Sequence, residues 1–363
     1  MIDKSAKIYV AGHRGLVGSA IMANLRARGF ENVIGRTHAE LDLLDPVATE
    51  EFFRHERPDA VVLAAAHVGG IMANSRDRAD FIYQNLQIQQ NVIGAAYRNG
   101  CRRLLFLGST CIYPREAPQP IPEDALLTSP LEYTNEPYAI AKIAGLKMCE
   151  AFNMQYGTDY VAVMPTNLYG PNDNFHLEDS HVLPAMIRKL HLSKLLGHKD
   201  MEAVRADLRR RPVSGVDADT SSDDEIERRL ADFGIYPGRV LLWGSGRPLR
   251  EFLWSEDMAD ACVHVLLNVS FADIGADLKA AGLPVRNTHI NIGTGRELSI
   301  AELAALIADA TAFDGTIEWD ASKPDGTMRK LCSVDRLHSL GWTHSVELPD
   351  GIKRLYDWYL SSI

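Results

Sequence analysis

The 363-residue sequence predicts an α/β fold built on a doubly wound parallel sheet. Through residues 1–170, short apolar segments alternate with amphipathic ones, as expected for strands joined by crossover helices. The first apolar segment, KIYVAG, leads into a glycine-rich turn and then a helical pattern. These two observations predict a nucleotide-binding type of βαβ domain in the first half of the chain.

The predicted elements follow one another at short intervals. Their periodicity indicates strands at KIYVAG, NVIGR, DAVVLAAA, RRLLFLGS and DYVAVMPTNLYG. It indicates helices at LVGSAIMANLRARG, PVATEEFFRHE, ADFIYQNLQIQQNVIGAAYRNG and PYAIAKIAGLKMCEAFNMQYG. The pattern becomes irregular after Gly170. We predict a smaller substrate domain over 171–363, with 240–265 and 286–300 crossing between the two domains.

A charged segment at about 197–237 differs in kind from its surroundings. It contains two short helical patterns separated by the polar linker DADTSSDDE, in which Ser221 or Ser222 is the candidate N-cap. The segment carries no recognisable chemistry. We predict a surface insertion that packs on the second domain or on a partner subunit.

Composition excludes several classes of function. The net charge of -10 argues against nucleic acid as a partner, although a local basic pocket remains compatible with an anionic small ligand. The sequence shows neither a signal peptide nor an apolar run of roughly 20 residues, so we expect no membrane association. Five scattered cysteines without metal spacing indicate free thiols, no metal site and a cytoplasmic protein.

The glycine-rich turn indicates a dinucleotide site. Gly12, Gly15 and Gly18 form a GxxGxxG frame between the first strand and the first helix. Glycine permits close approach of the backbone to phosphate, and the helix N-terminus supplies N–H groups and positive dipole. Arg14 lies in the turn, and Arg36 follows the second strand where an NAD site usually carries an acid. Two guanidinium groups favour a 2′-phosphate, and therefore NADP(H).

A second motif indicates proton-transfer chemistry. Tyr138 and Lys142 are four residues apart on a predicted helix and face the same way. We expect the ammonium group to lower the pKa of the phenol. Ser109, at the end of a predicted strand, is placed to bond the same substrate oxygen. Cys111 follows two residues later, so strand alternation predicts that both side chains project together.

The motifs GHRGLVGSA, LAAAHVGGI, FLGSTCIYP, NEPYAIAKIAG, MPTNLYGPNDNFH, SHVLPA, WGSG, REFL and SKPDGT span nearly the whole chain. In this order they resemble the GDP-L-fucose synthase family of extended short-chain dehydrogenases/reductases. The resemblance implies a Rossmann-type fold that uses NADPH. It also implies conversion of GDP-4-keto-6-deoxy-D-mannose to GDP-L-fucose, by epimerisation at carbons 3 and 5 and reduction at carbon 4.

The resemblance assigns roles to individual residues. Ser109, Tyr138 and Lys142 would serve the reduction, while Cys111 and His181 would act as acid and base on opposite faces for the epimerisation. It places the cofactor against Gly12, Arg14, Gly15, Leu16, Val17, Gly18, Arg36, Asp42, Leu43, Lys142, Pro165, Asn167, Leu168 and His181. It places the GDP-sugar against Lys189, Trp243, Arg250 and Asp325.

Several alternatives stay open at this point. A GDP-L-colitose synthase or another nucleotide-sugar epimerase/reductase would use the same residues. A 4,6-dehydratase would need a carboxylate pair beside Ser109, where this chain has Thr110 and Cys111. A non-enzymatic NADPH-binding regulator would have no use for Tyr138 and Lys142. By analogy with extended reductases we expect a homodimer formed through the helices at 79–99 and 137–156.

Overall fold

A computed structural model describes residues 2–323 and 325–362, and the side chains of all of these except 71 and 72. Its strands are β1 Ile8–Ala11, β2 Val33–Ile34, β3 Ala60–Leu63, β4 Arg103–Leu107, β5 Asp159–Pro165, β6 Asn167–Tyr169, β7 Ile235–Tyr236, β8 Arg239–Trp243, β9 Leu249–Arg250, β10 Phe252–Trp254, β11 Ile290–Ile292, β12 Leu298–Ser299, β13 Thr316–Asp320 and β14 Arg329–Lys330.

Its α-helices are α1 Leu16–Ala27, α2 Pro46–Glu56, α3 Ile71–Arg76, α4 Arg78–Arg98, α5 Glu136–Tyr156, α6 Val182–Gly197, α7 Met201–Arg210, α8 Asp223–Ala231, α9 Ser255–Asn268, α10 Phe271–Ala280, α11 Ile300–Thr311, α12 Asp335–Ser339 and α13 Leu348–Ser361. Short 3₁₀ helices lie at Thr110–Ile112 and Glu123–Ala125.

A six-stranded parallel sheet in the order β11-β5-β4-β3-β1-β2 confirms the predicted fold class. The chain leaves β1 for β2 on one side of it and then returns to β3 on the other side. This reversal puts the carboxyl end of β1 at a topological switch point, where open α/β sheets bind their ligands.

Both faces of this sheet are buried. Ile8 and Val10 of β1 lie in a cluster with α1 and α9, while Tyr9 and Ala11 lie in a second cluster that includes residues of α4 and α5. Successive side chains of a strand point to opposite faces, so a doubly covered strand reads as a continuous apolar run. This explains why KIYVAG and RRLLFL carry so few polar residues.

The chain divides into two compact units. The first contains Met1–Leu168, Phe252–Arg296 and Leu331–Ser345, and therefore the whole six-stranded sheet. The second contains Tyr169–Glu251, Glu297–Lys330 and Val346–Ile363. Two small sheets, β13-β8-β7 and β12-β9-β14, belong to the second unit.

The charged insertion contributes to the core of the second unit. Apolar residues of α7 and α8 form one buried cluster with residues of α6 and with Ile235 of β7. Ser222 is the N-cap of α8 and forms a capping box with Glu225. The charged segment thus contains two helices, α7 and α8, whose apolar residues pack within the second unit.

Among the described residues, we find no single helix whose length and apolar composition would let it cross a membrane. In the same part of the chain, one pair of helices, Ser255–Asn268 with Phe271–Ala280, passes by length and composition, and it is bent by 86°.

Candidate active site

The glycine turn after β1 is tightly packed. Gly12 has φ +81°, and a Cβ atom there would lie 2.7 Å from the backbone nitrogen of Ala65, just beyond β3. A Cβ on Gly18 would lie 2.1 Å from the carbonyl oxygen of Gly12. A side chain at either position would therefore push the turn and α1 away from the sheet.

The N-terminus of α1 is open to an anion. Leu16 and Val17 begin the helix, and Gly15 is its exposed N-cap. Within the part of the chain that the structure describes, no side chain caps this helix. The first N–H groups of α1 are therefore available to a pyrophosphate, which fits the turn that the sequence predicted.

The two predicted 2′-phosphate ligands lie in one region. Hydrogen bonds from Thr37 are the main cause of the lowered pKa of Glu40, and the positive charges of Arg36 and Arg14 add to it. The side chain of Arg14 is exposed. The Arg36 guanidinium also pairs with Glu56 at 2.7 Å. Arg36 is thus held by the end of α2, a contact that sequence reasoning did not foresee.

The other predicted cofactor residues surround the same end of the sheet. Leu43 is buried, and the half-buried Asp42 accepts a hydrogen bond from the backbone N–H of Leu44 at 2.9 Å. Pro165 ends β5 and lies next to β11 in the sheet, opposite Ile292. Beyond it, Asn167 is exposed and Leu168 packs against the core of the first unit.

The local structure at Ser109 and Cys111 corrects the sequence argument. Strand β4 ends at Leu107, and Cys111 lies in the 3₁₀ turn Thr110–Ile112, so strand alternation does not apply to this pair. Instead, a hydrogen bond links the two residues. The N–H of Cys111 donates to Oγ of Ser109 at 3.3 Å, so the hydroxyl caps the turn that carries the buried thiol.

Lys142 confirms the geometry predicted for the YxxxK pair. Its side chain is 4% exposed, and Nζ donates to the carbonyl oxygen of Leu107 at 2.8 Å. Nζ also lies 5.7 Å from the centroid of the Tyr138 ring and 5.0 Å from that of Phe106. Lys142 therefore links the end of β4 to α5 beneath the phenol.

The predicted direction of the Tyr138 pKa is wrong for the protein without ligands. Burial raises the pKa of Tyr138, and the charge of Cys111 adds to the rise. Burial also lowers the pKa of Lys142 to about 8, while Cys111 opposes that shift. The attraction between the Lys142 ammonium and the Tyr138 phenolate is therefore smaller than the cost of desolvating the phenolate. Tyr138 thus stays protonated at neutral pH, which suits a proton donor.

The pKa of Lys142 predicts an alkaline loss of activity. Because the ammonium deprotonates as pH rises through about 8, kcat/KM for NADPH should fall above that pH. The residual activity of Lys142→Arg should not show this alkaline limb of the pH profile, because arginine stays charged. Lys189→Arg is the matched control, since burial lowers the pKa of Lys189 to about 8 as well. If the limb disappears in the control and persists in Lys142→Arg, the assignment to Lys142 is wrong.

The remaining predicted residues belong to the second unit. His181 is the N-cap residue of α6, and Lys189 lies in the middle of that helix. The His181 side chain is exposed by surface area, yet nearby protein atoms still desolvate it and lower its pKa. The imidazole is therefore neutral at pH 7 and able to accept a proton.

Trp243, Arg250 and Asp325 lie in the small sheets and their loops. Trp243 ends β8 with its ring 60% exposed and with Lys323 Nζ 5.5 Å from its centroid. Both carboxylate oxygens of Asp325 accept hydrogen bonds from Ser245, Oδ1 from its N–H at 2.8 Å and Oδ2 from its hydroxyl at 2.7 Å.

Ser245 was missed in the sequence, although it stands in the motif WGSG. Its two bonds are the main cause of the lowered pKa of Asp325. Burial in turn lowers the pKa of Arg250, which the charge of Asp325 partly offsets. The carboxylate predicted for sugar hydroxyls is therefore held by the loop that follows β8 and is ionised at neutral pH.

Across the described part of the chain, no group of three or more histidine, cysteine, aspartate or glutamate side chains is arranged to hold a metal ion. All five cysteines are buried, and none of them forms a disulfide bond within the described residues.

The chain is similar to known proteins over nearly its whole length. The model of the NAD dependent epimerase/dehydratase family matches residues 8–211 and 221–293. GDP-L-fucose synthase 1 of Arabidopsis thaliana is 50% identical over 100% of this chain and 96% of its own length. GDP-L-fucose synthase of Escherichia coli K12 is 47% identical over 98% of this chain and 97% of its own. GDP-L-colitose synthase of Yersinia pseudotuberculosis is more distant, at 32% over 98% of each chain.

A solved structure shows the same fold. The GDP-D-glycero-L-gluco-heptose synthase of Campylobacter jejuni, crystallised in the presence of NADPH, superposes with a TM-score of 0.90. It is 39% identical, and the match covers 99% of this chain and 100% of that one. By sequence and by fold, this chain belongs to the NAD dependent epimerase/dehydratase family and, within it, to the group of GDP-L-fucose synthases.

Proposed function

We propose that this chain is an NADPH-dependent GDP-L-fucose synthase, which epimerises GDP-4-keto-6-deoxy-D-mannose at carbons 3 and 5 and reduces it at carbon 4. The observation that carries the proposal is one cluster in the first unit. It brings a capping hydroxyl, a thiol, a protonated phenol and a buried ammonium group to the end of β4: Ser109, Cys111, Tyr138 and Lys142. Relatives of the same length with the same activity support it.

The first unit would bind NADP(H). The open N-terminus of α1 suits the pyrophosphate, and Arg14 and Arg36 suit the 2′-phosphate. The similarity to the Campylobacter enzyme, which was crystallised in the presence of NADPH, supports this cofactor. Asp42 and Leu43 would lie beside the adenine, and Asn167 and Leu168 towards the nicotinamide.

Reduction needs a hydride donor and a proton donor at the ketone oxygen. NADPH supplies the hydride when bound. Tyr138 donates the proton, because burial keeps its phenol protonated. Ser109 gives the oxygen a second hydrogen bond. Lys142 provides the nearby positive charge that favours the phenolate left behind.

Epimerisation needs an acid and a base on opposite faces of the sugar. The carbon beside the ketone loses a proton on one face and regains one on the other, while the polarised carbonyl stabilises the enolate. We assign these roles to Cys111 and His181. The unperturbed pKa values of a thiol, about 8.5, and an imidazole, about 6.5, suit proton exchange near neutral pH. The second unit would hold the GDP-sugar, with Lys189 and Arg250 at the diphosphate and Trp243 and Asp325 at the remaining groups.

The decisive variant is Cys111→Ser, assayed with GDP-4-keto-6-deoxy-D-mannose and NADPH in deuterated water. The wild type should incorporate deuterium at carbons 3 and 5 and form GDP-L-fucose. The variant should lose at least about 100-fold in incorporation, the typical size of an acid–base contribution. It should still transfer hydride between NADP⁺ and GDP-L-fucose, a sugar that needs no epimerisation.

Cys149→Ser is the matched control, because Cys149 is also buried in the first unit but belongs to the core cluster. It should leave the ratio of incorporation to hydride transfer unchanged. Wild-type-like incorporation in Cys111→Ser would assign the thiol to packing and the chain to the simple reductases of this fold.

A second candidate is a synthase for another GDP-hexose or GDP-heptose. The 39% identity to a GDP-heptose synthase supports this second candidate, because an altered substituent on the sugar need not change the acid–base residues. Comparing kcat/KM for the 6-deoxy, 3,6-dideoxy and heptose 4-ketones separates the two. A preference of tenfold or more for a substrate other than the 6-deoxy ketone would replace the fucose assignment.

We also propose a cytoplasmic homodimer. Helices α4 and α5 pack against each other in the first unit, and Gln89 of α4 donates to the carbonyl oxygen of Ala141 in α5 at 2.7 Å. The two helices still expose large apolar side chains: Tyr83, Tyr97, Ile140, Met154 and Tyr156. Covering these with the same helices of a second copy would remove them from water. Light scattering at micromolar concentration should give twice the 40.2 kDa chain mass, and a monomer would contradict the idea.

A further inference from the structure

The residue that follows the Cys111 turn is anchored in the protein interior. Tyr113 is 3% exposed and ends the 3₁₀ turn, its N–H donating to the carbonyl oxygen of Thr110 at 3.3 Å. Its hydroxyl donates to Oδ1 of Asn291 at 2.5 Å and lies 2.9 Å from Nε2 of His289. All of these residues belong to the first unit.

The hydrogen bonds around Tyr113 determine where each proton lies. The Asn291 amide nitrogen donates to the carbonyl oxygens of Ile121 and Ser333, at 3.1 and 3.2 Å, so its Oδ1 is the acceptor. Tyr113 has one hydroxyl proton and gives it to that oxygen. His289 must therefore donate from Nε2, as a neutral imidazole. Burial lowers the pKa of His289 to about 3, which agrees with a neutral ring.

The anchor is itself rigid. Asn291 is the middle residue of β11, which pairs with β5 at the edge of the sheet. Its backbone N–H donates to Oε1 of the buried Glu123 at 3.1 Å. The turn that carries the thiol is thus tied at one end to Ser109 and at the other, through Tyr113, to a strand two places away in the sheet.

We propose that Tyr113, held by Asn291 and His289, is a positioning residue that sets the location of the Cys111 thiol for epimerisation. The proposal rests on the function proposed above. The reducing group is anchored separately, since Lys142 is bonded to the end of β4 and Tyr138 is carried by α5. A fault in the Tyr113 anchor should therefore affect epimerisation more than hydride transfer, to which this turn contributes only the hydrogen bond of Ser109.

Tyr113→Phe tests this with little change of volume. It keeps the ring but leaves the Nε2–H of His289 and Oδ1 of Asn291 without their partner in a buried site, which is costly enough to shift the turn. A displacement of about 1 Å of a reacting group is sufficient to reduce a rate by 10²-fold.

Two assays measure the two reactions apart. Epimerisation is followed as deuterium incorporation at carbons 3 and 5 of GDP-4-keto-6-deoxy-D-mannose with NADP⁺, which cannot reduce the ketone. In this step a proton leaves carbon and a deuteron returns, with no oxidation. Hydride transfer is followed from GDP-L-fucose to NADP⁺ in a single turnover, in which the hydride leaves carbon 4 and the alcohol proton goes to the enzyme.

Tyr160→Phe is the matched control. Tyr160 is 2% exposed in the same unit, and its hydroxyl donates to the carbonyl oxygen of Cys101 at 2.7 Å. We expect Tyr113→Phe to lower incorporation at least tenfold with hydride transfer within threefold of wild type, and Tyr160→Phe to leave their ratio unchanged. A parallel loss of both activities in Tyr113→Phe, or no loss of either, would overturn the proposal.

A readout without substrate separates this proposal from the function on which it rests. Alkylation by iodoacetamide is measured at each cysteine-containing peptide of the ligand-free protein. If Tyr113 holds the turn, Tyr113→Phe should raise the rate at Cys111 several-fold and leave Cys149 unchanged. A wild type that incorporates no deuterium would contradict the proposed function only. An unchanged alkylation rate at Cys111 would contradict the role of Tyr113.

Discussion

Tyr138→Phe should lower hydride transfer to the keto sugar by about 10²–10⁴-fold, the range for loss of a positioned proton donor. Phenylalanine fills the same space but gives the developing alkoxide no proton. Burial raises the pKa of Tyr138, so the native phenol is protonated throughout the neutral range and the loss should persist at every pH there. Stopped-flow measurement of NADPH oxidation gives the rate of this step directly.

The control for this variant lies five residues earlier. Tyr133 is 70% exposed, and the guanidinium of Arg78 lies 4.4 Å from the centroid of its ring. Tyr133→Phe should leave hydride transfer unchanged. Deuterium incorporation should fall less in Tyr138→Phe than hydride transfer does, because Cys111 and His181 carry the epimerisation. Hydride transfer within threefold of wild type in Tyr138→Phe would remove the phenol from the mechanism.

Asp207→Ala should destabilise the second unit by about 3–5 kcal/mol, the cost of leaving one charge of a buried ion pair without its counter-charge. Arg188 of α6 and Asp207 of α7 are both 0% exposed, and Nε of Arg188 donates to Oδ1 of Asp207 at 2.9 Å. The hydroxyl of Tyr359 in α13 donates to the other oxygen. Alanine would leave a guanidinium in the core without its carboxylate, measurable as a lower midpoint of chemical unfolding.

Asp219→Ala is the matched control for that loss. Asp219 pairs with Arg209 at 2.6 Å, but their side chains are 64% and 51% exposed, and such surface pairs contribute about 0–1 kcal/mol. The double variant Arg188→Met with Asp207→Leu should recover part of the stability, since no charge is left buried. Recovery stays partial because Arg188 also donates to the carbonyl oxygens of Phe175 and Arg211. Equal losses from Asp207→Ala and Asp219→Ala would show that burial of the pair does not matter.

Local sequence rules were sufficient for the framework of the first unit. Gly12 and Gly18 sit where the turn tolerates only glycine, because backbone atoms of the turn and of the segment after β3 occupy the space of a side chain. The spacing of Tyr138 and Lys142 predicted their common face, since a helix returns after about four residues. The apolar runs predicted the parallel sheet because both of its faces are covered.

Three features escaped the same rules. Cys111 leaves the strand because Ser109 caps a 3₁₀ turn there, a choice of backbone that alternation does not reveal. The pKa of Tyr138 rises because burial, a property of the whole unit, outweighs the ammonium one helical turn away. Asp207, one acid in a charged segment, pairs with an arginine in another helix and becomes core.

The sequence by itself determined which elements form and which chemical groups the chain carries, because those depend on neighbours within a few residues. The tertiary structure alone decided how those groups are held and in which protonation state. Tyr113 shows the difference. In the sequence it is an aromatic residue two positions after Cys111. Only the pairing of β11 with β5 brings Asn291 to its hydroxyl. Desolvation and tertiary hydrogen bonds arise from contacts between separate elements, such as Tyr113 and Asn291, and local patterns do not contain them.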